Sequence, residues 1–116
     1  MTRRISPAQH AIADYATASA FLAAALRYRH RHREASTLAL MNAAAIVVLS
    51  ICTDYPGGVF RLVSFRTHGM FDVLLTAMCA GGPALMGFAN EPEARTFYGQ
   101  AAAETAVVAA TDFSRS

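Results

Sequence analysis

The sequence predicts an all-α protein of four transmembrane helices, arranged as two duplicated helical hairpins in an up-down-up-down bundle. Three observations predict this class. The chain has four apolar segments of roughly 20 residues, the length that crosses a hydrocarbon core of about 30 Å. Charged residues make up 16% of the chain, whereas a typical soluble domain has about 25%. The second half also repeats the first at an offset of 58 residues.

The repeat is marked by its polar positions. A His-x-x-x-Asp pair and a Thr-Asp-aromatic triplet each occur twice: His10/Asp14 with His68/Asp72, and 53–55 with 111–113. All four aspartates of the chain lie at these positions, which apolar composition does not explain. We therefore interpret residues 1–116 as a single membrane domain, with one repeat over 10–55 and the other over 68–113.

The first two apolar segments form the first predicted hairpin. Segment one is expected over Pro7–Tyr28, because proline suits the first turn of a helix. Segment two is expected over Ala35–Tyr55, since the Pro-Gly-Gly sequence that follows at 56–58 interrupts a helix. A short arginine-rich loop separates these two segments, so we expect them to lie antiparallel.

The last two segments form the second predicted hairpin, over Thr67–Phe88 and Ala94–Phe113. Short connections place both termini and the central loop on the same side of the membrane. Five arginines fall on that side and five on the other. Because arginine and lysine bias sets the orientation of short-looped membrane proteins, this tie leaves the orientation open.

A soluble four-helix bundle is the alternative fold. A helix of a soluble bundle needs a polar face opposite its apolar stripe. Residues 35–53 form a run of 19 residues without a charge, and residues 73–90 form a run of 18. Neither run offers a face that suits water, and this pattern favours the membrane protein over the soluble bundle.

The predicted topology brings six ionisable residues to one side of the membrane. The His-x-x-x-Asp pairs begin the first and third helices, and the other two aspartates end the second and fourth. This candidate polar ring consists of His10, Asp14, Asp54, His68, Asp72 and Asp112. Four further residues are expected to support it: Thr53, Thr111, Arg61 and Arg66.

Two interpretations of the ring follow from its chemistry, and a third is that the six residues are simply solvated at the level of the lipid headgroups. In the structural one, each aspartate accepts hydrogen bonds across the bundle, while the two threonines bond back to their own helices. In the other, imidazoles and carboxylates bind a divalent metal or relay protons. The sequence names no metal and predicts no cofactor. It also shows no catalytic arrangement, so an enzyme is not favoured.

The expected partner is the lipid bilayer, and a membrane protein or a second copy of the chain is a further candidate. The ten basic residues are all arginines, and they lie at the ends of apolar segments. Because no basic patch with interleaved aromatic residues is present, the sequence does not favour nucleic acid as a partner. The chain is thus expected to be a structural or interaction module of the membrane. An ion- or proton-binding transport protein is the alternative.

The repeated motifs resemble those of the SPW (Ser-Pro-Trp) repeat family of small bacterial membrane proteins. That family's repeat opens on His-x-x-x-Asp and closes on Thr-Asp-Tyr, as both halves of this chain do, with Phe113 in place of the last tyrosine. The central motif corresponds to Gly82–Phe88, where glycine and alanine replace the serine and tryptophan. The resemblance implies a multi-pass protein of the bacterial inner membrane and implies no activity.

Overall fold

A computed structural model describes residues 4–114 of the chain. Its helices are α1 (Pro7–Tyr28), α2 (Arg33–Ile51), α3 (Phe65–Leu85) and α4 (Ala94–Ala110). Within these residues the regular structure is helical, and extended pairing is limited to two isolated bridges. The prediction of an all-α protein with four helices is therefore confirmed.

The starts of α1 and α3 are capped in the same way, by serines 58 residues apart. The Ser6 hydroxyl accepts a hydrogen bond from the Gln9 backbone N–H, and the Gln9 side chain accepts one from the Ser6 N–H. The Ser64 hydroxyl accepts a hydrogen bond from the Thr67 N–H. A serine in this position satisfies backbone donors that the first helical turn leaves without a partner.

The residue before each capping serine pairs with the end of a helix hairpin. Ile5 forms an isolated bridge with Thr111, and Val63 forms one with Thr53. Ile5 and Val63 are also 58 positions apart. The structural repeat therefore begins at Ile5 and Val63, five positions before the sequence motif that marks it.

Helices α2 and α4 end before the residues that were predicted to end them. We expected them to reach Tyr55 and Phe113, but they end at Ile51 and Ala110. The backbone beyond each helix bonds to an extended segment instead: the Asp54 N–H donates to the Val63 carbonyl at 2.7 Å, and the Asp112 N–H donates to the Ile5 carbonyl at 3.4 Å. Both Thr-Asp-aromatic triplets consequently lie in turns. Helix α3 was predicted over Thr67–Phe88 and covers Phe65–Leu85.

Packing is closest within each hairpin, between α1 and α2 and between α3 and α4. Contacts between α2 and α3 and between α1 and α4 close the bundle, while α1 and α3 face each other diagonally. The main core contains Phe21, Phe88 and Phe97, and the rings of Phe21 and Phe97 stack with centroids 5.9 Å apart. A smaller apolar cluster of Ala11, Tyr55, Phe65 and Phe113 covers the end at which α1 and α3 begin.

By length and composition, one described helix could cross a membrane: α2, with 19 residues and a mean hydropathy of 1.7. Of that span, 39% is buried inside the bundle. Helix α4 has 17 residues, and α1 and α3 each carry a His and an Asp near their starts, which lower their mean hydropathy. The prediction of four membrane-spanning helices is therefore supported by this criterion for α2 alone.

Candidate functional site

Four ionisable side chains meet in the interior, between the starts of α1 and α3. We call them the His/Asp cluster: His10 and Asp14 on α1, with His68 and Asp72 on α3. One nitrogen or carboxylate oxygen from each residue lies within 4.8 Å of those of the other three. Positions four apart share one face of a helix, so each His-x-x-x-Asp pair presents both groups to the opposite helix. The cluster thus bridges the diagonal of the bundle.

Each histidine lies closer to the aspartate of the other repeat than to its own. His10 Nε2 lies 2.9 Å from Asp72 Oδ2 and 3.3 Å from Asp14 Oδ1. His68 Nε2 lies 3.0 Å from Asp14 Oδ2 and 3.3 Å from Asp72 Oδ2. The pairing is therefore reciprocal between the two repeats, and neither hairpin completes it alone.

The threonines of the two triplets hold the histidine rings from behind. The Thr53 hydroxyl donates to the Leu49 carbonyl at 2.6 Å and lies 2.7 Å from His68 Nδ1. Thr111 repeats this arrangement, donating to the Val107 carbonyl at 2.6 Å and lying 2.9 Å from His10 Nδ1.

A threonine hydroxyl has one proton, and here the backbone carbonyl takes it. Each hydroxyl oxygen must therefore accept from the histidine, which places the N–H on Nδ1. The Nε2 atoms of both rings then point at carboxylate oxygens. That contact is attractive when Nε2 also carries a proton, when the carboxyl group itself is protonated and donates to Nε2, or when a cation lies between the two atoms, because a bare lone pair would repel a carboxylate.

Because these nitrogens are buried, their hydrogen-bond partners affect the stability of the fold. Both histidines are fully buried, and the side chains of Asp14 and Asp72 are 11% and 14% exposed. His68 Nε2 lies 3.0 Å from Asp14 Oδ2, yet the contact is not aligned as a hydrogen bond, and among residues 4–114 this nitrogen has no other hydrogen-bond partner. A buried polar atom without such a partner destabilises a fold unless another group satisfies it.

Aromatic side chains cover the cluster. The Tyr55 hydroxyl donates to Asp14 Oδ2 at 2.7 Å. Burial raises the pKa of Tyr55, and the Asp14 carboxylate raises it further, so the hydroxyl stays protonated and remains a donor. Phe113 occupies the matching place in the second repeat, with its ring 5.4 Å from that of His10, and offers no hydroxyl. Phe65 packs edge-on against His10 at 5.3 Å.

The other predicted ring residues lie outside the cluster. Asp54 is exposed and pairs with Arg61, with 3.2 Å between Oδ1 and Nη1. Asp112 accepts hydrogen bonds from the backbone and hydroxyl of Ser114. Arg66 is exposed on the first turn of α3. In the first triplet, successive residues alternate between interior and solvent, so Thr53 and Tyr55 face the cluster while Asp54 faces outward.

A cavity of about 40 Å³ adjoins the cluster on the side of α4. Its lining includes His10, Asp14, Asp72 and Glu104. Glu104 has no counterpart in the repeat, and its Oε2 atom is buried without a hydrogen-bond partner. This volume is enough for at least one water molecule, because a single probe sphere occupies roughly 10–15 Å³. The carboxylates of the cluster therefore face a small cavity with mostly apolar walls as well as the histidines.

A second group of metal-ligating residue types lies in the loops that join the helices of each hairpin. It consists of His32, Glu91 and Glu93. His32 Nδ1 accepts from the Ala35 N–H, which caps α2, and Nε2 lies 3.1 Å from Glu91 Oε1. Both ring nitrogens thus have partners that explain their positions, and the two glutamates are largely outside the core.

Sequence reasoning did not anticipate the aromatic cover or the capping pairs. Tyr55 was noted as part of a repeated triplet, yet only the turn after α2 directs its hydroxyl at Asp14. Ser6 and Ser64 could have been found from the sequence, because the 58-residue offset already relates them. Comparison of the chain with protein-family models, curated proteins and solved structures gave no match.

Proposed function

We propose that this chain is a four-span integral membrane protein whose two hairpin repeats are joined by the His/Asp cluster, and that it serves as a structural or interaction module. The observation that carries the proposal is the reciprocal pairing of His10 with Asp72 and of His68 with Asp14. A buried charged pair that loses one partner costs about 3–5 kcal/mol. The cluster therefore opposes both separation of the hairpins and sliding of α1 along α3.

Membrane placement is supported by the outward faces of the helices. Large apolar side chains are exposed on all four helices, whereas soluble monomers rarely expose extended apolar surface. These residues are Ile12, Leu22, Leu26, Leu40, Met41, Val48, Met70, Phe71, Val73, Leu74, Met78, Leu85 and Tyr98. On α4, alanines at 102, 103, 106 and 109 are also exposed. Small residues of this kind allow close packing against another membrane helix.

The proposal includes kinship with the SPW repeat family and a place in the bacterial inner membrane. The shared polar frame supports the kinship, since the cluster uses the His-x-x-x-Asp pair and the threonine of each closing triplet. The lipid bilayer would then cover the apolar faces. A second copy of the chain or another membrane protein would pack against the alanine face of α4.

Fractionation and extraction test the membrane part of the proposal. The full chain, expressed in a bacterium, is expected to sediment with membranes, to resist removal by high-pH washing and to need detergent for extraction. Recovery as a monodisperse particle without detergent would show that the exposed apolar faces do not meet lipid. That result would leave the role of the cluster to be judged separately, from the stability of cluster variants.

A further inference from the structure

We propose that the His/Asp cluster is a binding site for one divalent transition-metal ion of the zinc type, held by the Nε2 atoms of His10 and His68 and by the carboxylates of Asp14 and Asp72. This goes beyond the role of joining the repeats, and it does not depend on membrane placement. It rests on three observations: the ligand geometry, the fixed position of the N–H on both histidine rings, and the His68 Nε2 atom, which faces two carboxylates but lacks an aligned hydrogen bond among the described residues.

The ligand geometry fits a four-coordinate ion. Zinc binds histidine nitrogen and carboxylate oxygen at about 2.0–2.2 Å, so neighbouring ligands of a tetrahedral site lie roughly 3.3–3.5 Å apart. The four nitrogen-to-oxygen distances in the cluster are 2.9, 3.0, 3.3 and 3.3 Å; Asp72 contributes Oδ2 to two of them, whereas Asp14 contributes Oδ1 towards His10 and Oδ2 towards His68. Shifts of a few tenths of an ångström would therefore open the cluster into a coordination sphere.

The threonines supply the outer contacts that metal-binding histidines need. A ligating imidazole usually donates its other ring N–H to a fixed acceptor, which sets the tautomer and the ring orientation. Thr53 and Thr111 do this for His68 and His10, because each hydroxyl is itself anchored to a backbone carbonyl. Both Nε2 lone pairs are thus directed at the same small volume, in both repeats.

His68 Nε2 is a further sign that this volume suits a cation. It is fully buried and lies 3.0 Å and 3.3 Å from carboxylate oxygens of Asp14 and Asp72, yet it has no aligned hydrogen bond within the described part of the chain. A metal ion would satisfy it together with the carboxylate lone pairs that it faces. Two imidazoles favour a transition metal over calcium or magnesium, which prefer six or more oxygen ligands.

The adjoining cavity leaves space beside the site. It is lined by His10, Asp14 and Asp72 of the cluster and by Glu104. Asp14 and Asp72 are also the two cluster residues whose side chains keep partial exposure.

The test uses the full chain in detergent, purified without a polyhistidine tag and stripped with a chelator. Wild type is expected to bind one equivalent of Zn²⁺ and to unfold at a temperature several degrees higher with it. Co²⁺ should give the intense visible bands of a four-coordinate site. His68→Gln and Asp72→Asn should lower Zn²⁺ affinity at least 100-fold. His30→Gln in an exposed loop and His32→Gln in the second group should leave it unchanged.

Variants that keep all four ligands test whether a loss of Zn²⁺ binding comes from misfolding. Thr53→Val and Thr111→Val should each weaken Zn²⁺ binding by 10- to 100-fold, the usual effect of losing an outer-shell partner. The proposal is overturned if wild type shows neither stabilisation by Zn²⁺ nor four-coordinate Co²⁺ bands. It is also overturned if Zn²⁺ binding survives His68→Gln but is lost in His32→Gln. Stability of the same variants in chelator tests the joining of the repeats independently.

Discussion

His10 and His68 pack edge to face, with their ring centroids 5.2 Å apart. His10 directs Nε2 at Asp72, and His68 directs Nε2 at Asp14. Each histidine thus pairs with the aspartate of the other repeat. A hairpin on its own would bury a histidine without its nearer carboxylate. The polar interior is therefore completed only when both hairpins are in place and in register.

We expect Asp14→Asn and Asp72→Asn each to destabilise the protein. Each change removes one carboxylate that a buried imidazole faces, and a buried charged pair that loses one partner costs about 3–5 kcal/mol. The double variant should be less destabilised than the sum of the two, because residues in one network are not additive. Thermal unfolding in detergent, with chelator present, measures all three.

Asp54→Asn is the matched control for those variants. Asp54 is exposed and pairs with Arg61 at the surface, where ion pairs contribute about 0–1 kcal/mol. Its loss should change stability little. If Asp54→Asn destabilised the protein as much as Asp14→Asn, burial in the cluster would not explain how much an aspartate contributes to stability.

Tyr55→Phe should destabilise the protein by about 1–3 kcal/mol, because it removes a hydrogen bond to a buried carboxylate. In the second repeat, the substitution Phe113→Tyr would add the hydroxyl that Tyr55→Phe removes. Phe113→Tyr should be neutral or stabilising, since it would direct a hydroxyl towards Asp72 as Tyr55 does towards Asp14. Unfolding of the two variants and of the exchanged double variant measures this. A strong loss in Phe113→Tyr would show that the repeats differ in the space beside the aspartate.

Gly82→Ala and Gly81→Ala should have opposite effects, although the two positions are adjacent. A Cβ at Gly82 would lie 2.7 Å from Leu38 Cδ2. Leu38 is buried in the core and would have to shift against its neighbours, so a loss of about 1–3 kcal/mol is expected. A Cβ at Gly81 meets nothing within 4 Å. There, alanine should add about 0.5–1 kcal/mol through its better helix propensity. Equal effects in a thermal melt would argue against close approach of α2 and α3.

Glu104→Leu should raise the unfolding temperature. The Oε2 atom of Glu104 is buried without a hydrogen-bond partner, and replacing such a group with an apolar one of similar size removes a desolvation penalty of about 1–3 kcal/mol. Glu104→Gln is the control, because it keeps a buried polar group and should give a smaller gain. A loss of stability in Glu104→Leu would mean that the carboxyl interacts favourably with the water or cation in the cavity.

The repeat offset and the helical spacing were enough to predict much of this architecture. Four helices follow from four apolar segments separated by Pro, Gly and charged residues. The convergence of the two His-x-x-x-Asp pairs follows from antiparallel hairpins, since α1 and α3 begin at the same end of the bundle. Local periodicity and short loops determine both results, so the sequence carries them without any knowledge of long-range contacts.

The composition of the cluster was decided by the tertiary structure. Helical spacing suggested that Asp54 and Asp112 would end their helices beside the histidines. Instead, each helix ends early and the turn that follows finds backbone partners elsewhere: Val63, in the same connection between α2 and α3, and Ile5, at the opposite end of the chain. In the first of these turns, alternate residues face opposite ways, which places Thr53 and Tyr55 in the interior and Asp54 outside.

The sequence by itself thus determined the number of helices, the repeat and the face of each His–Asp pair. Tertiary structure determined which aspartate each histidine contacts, which tautomer the threonines impose and which polar atoms lack a partner. The physical reason is the distance along the chain over which each kind of interaction acts. Periodicity acts over a few residues of one helix, whereas partner exchange at 2.9–3.0 Å depends on how two separate hairpins pack together.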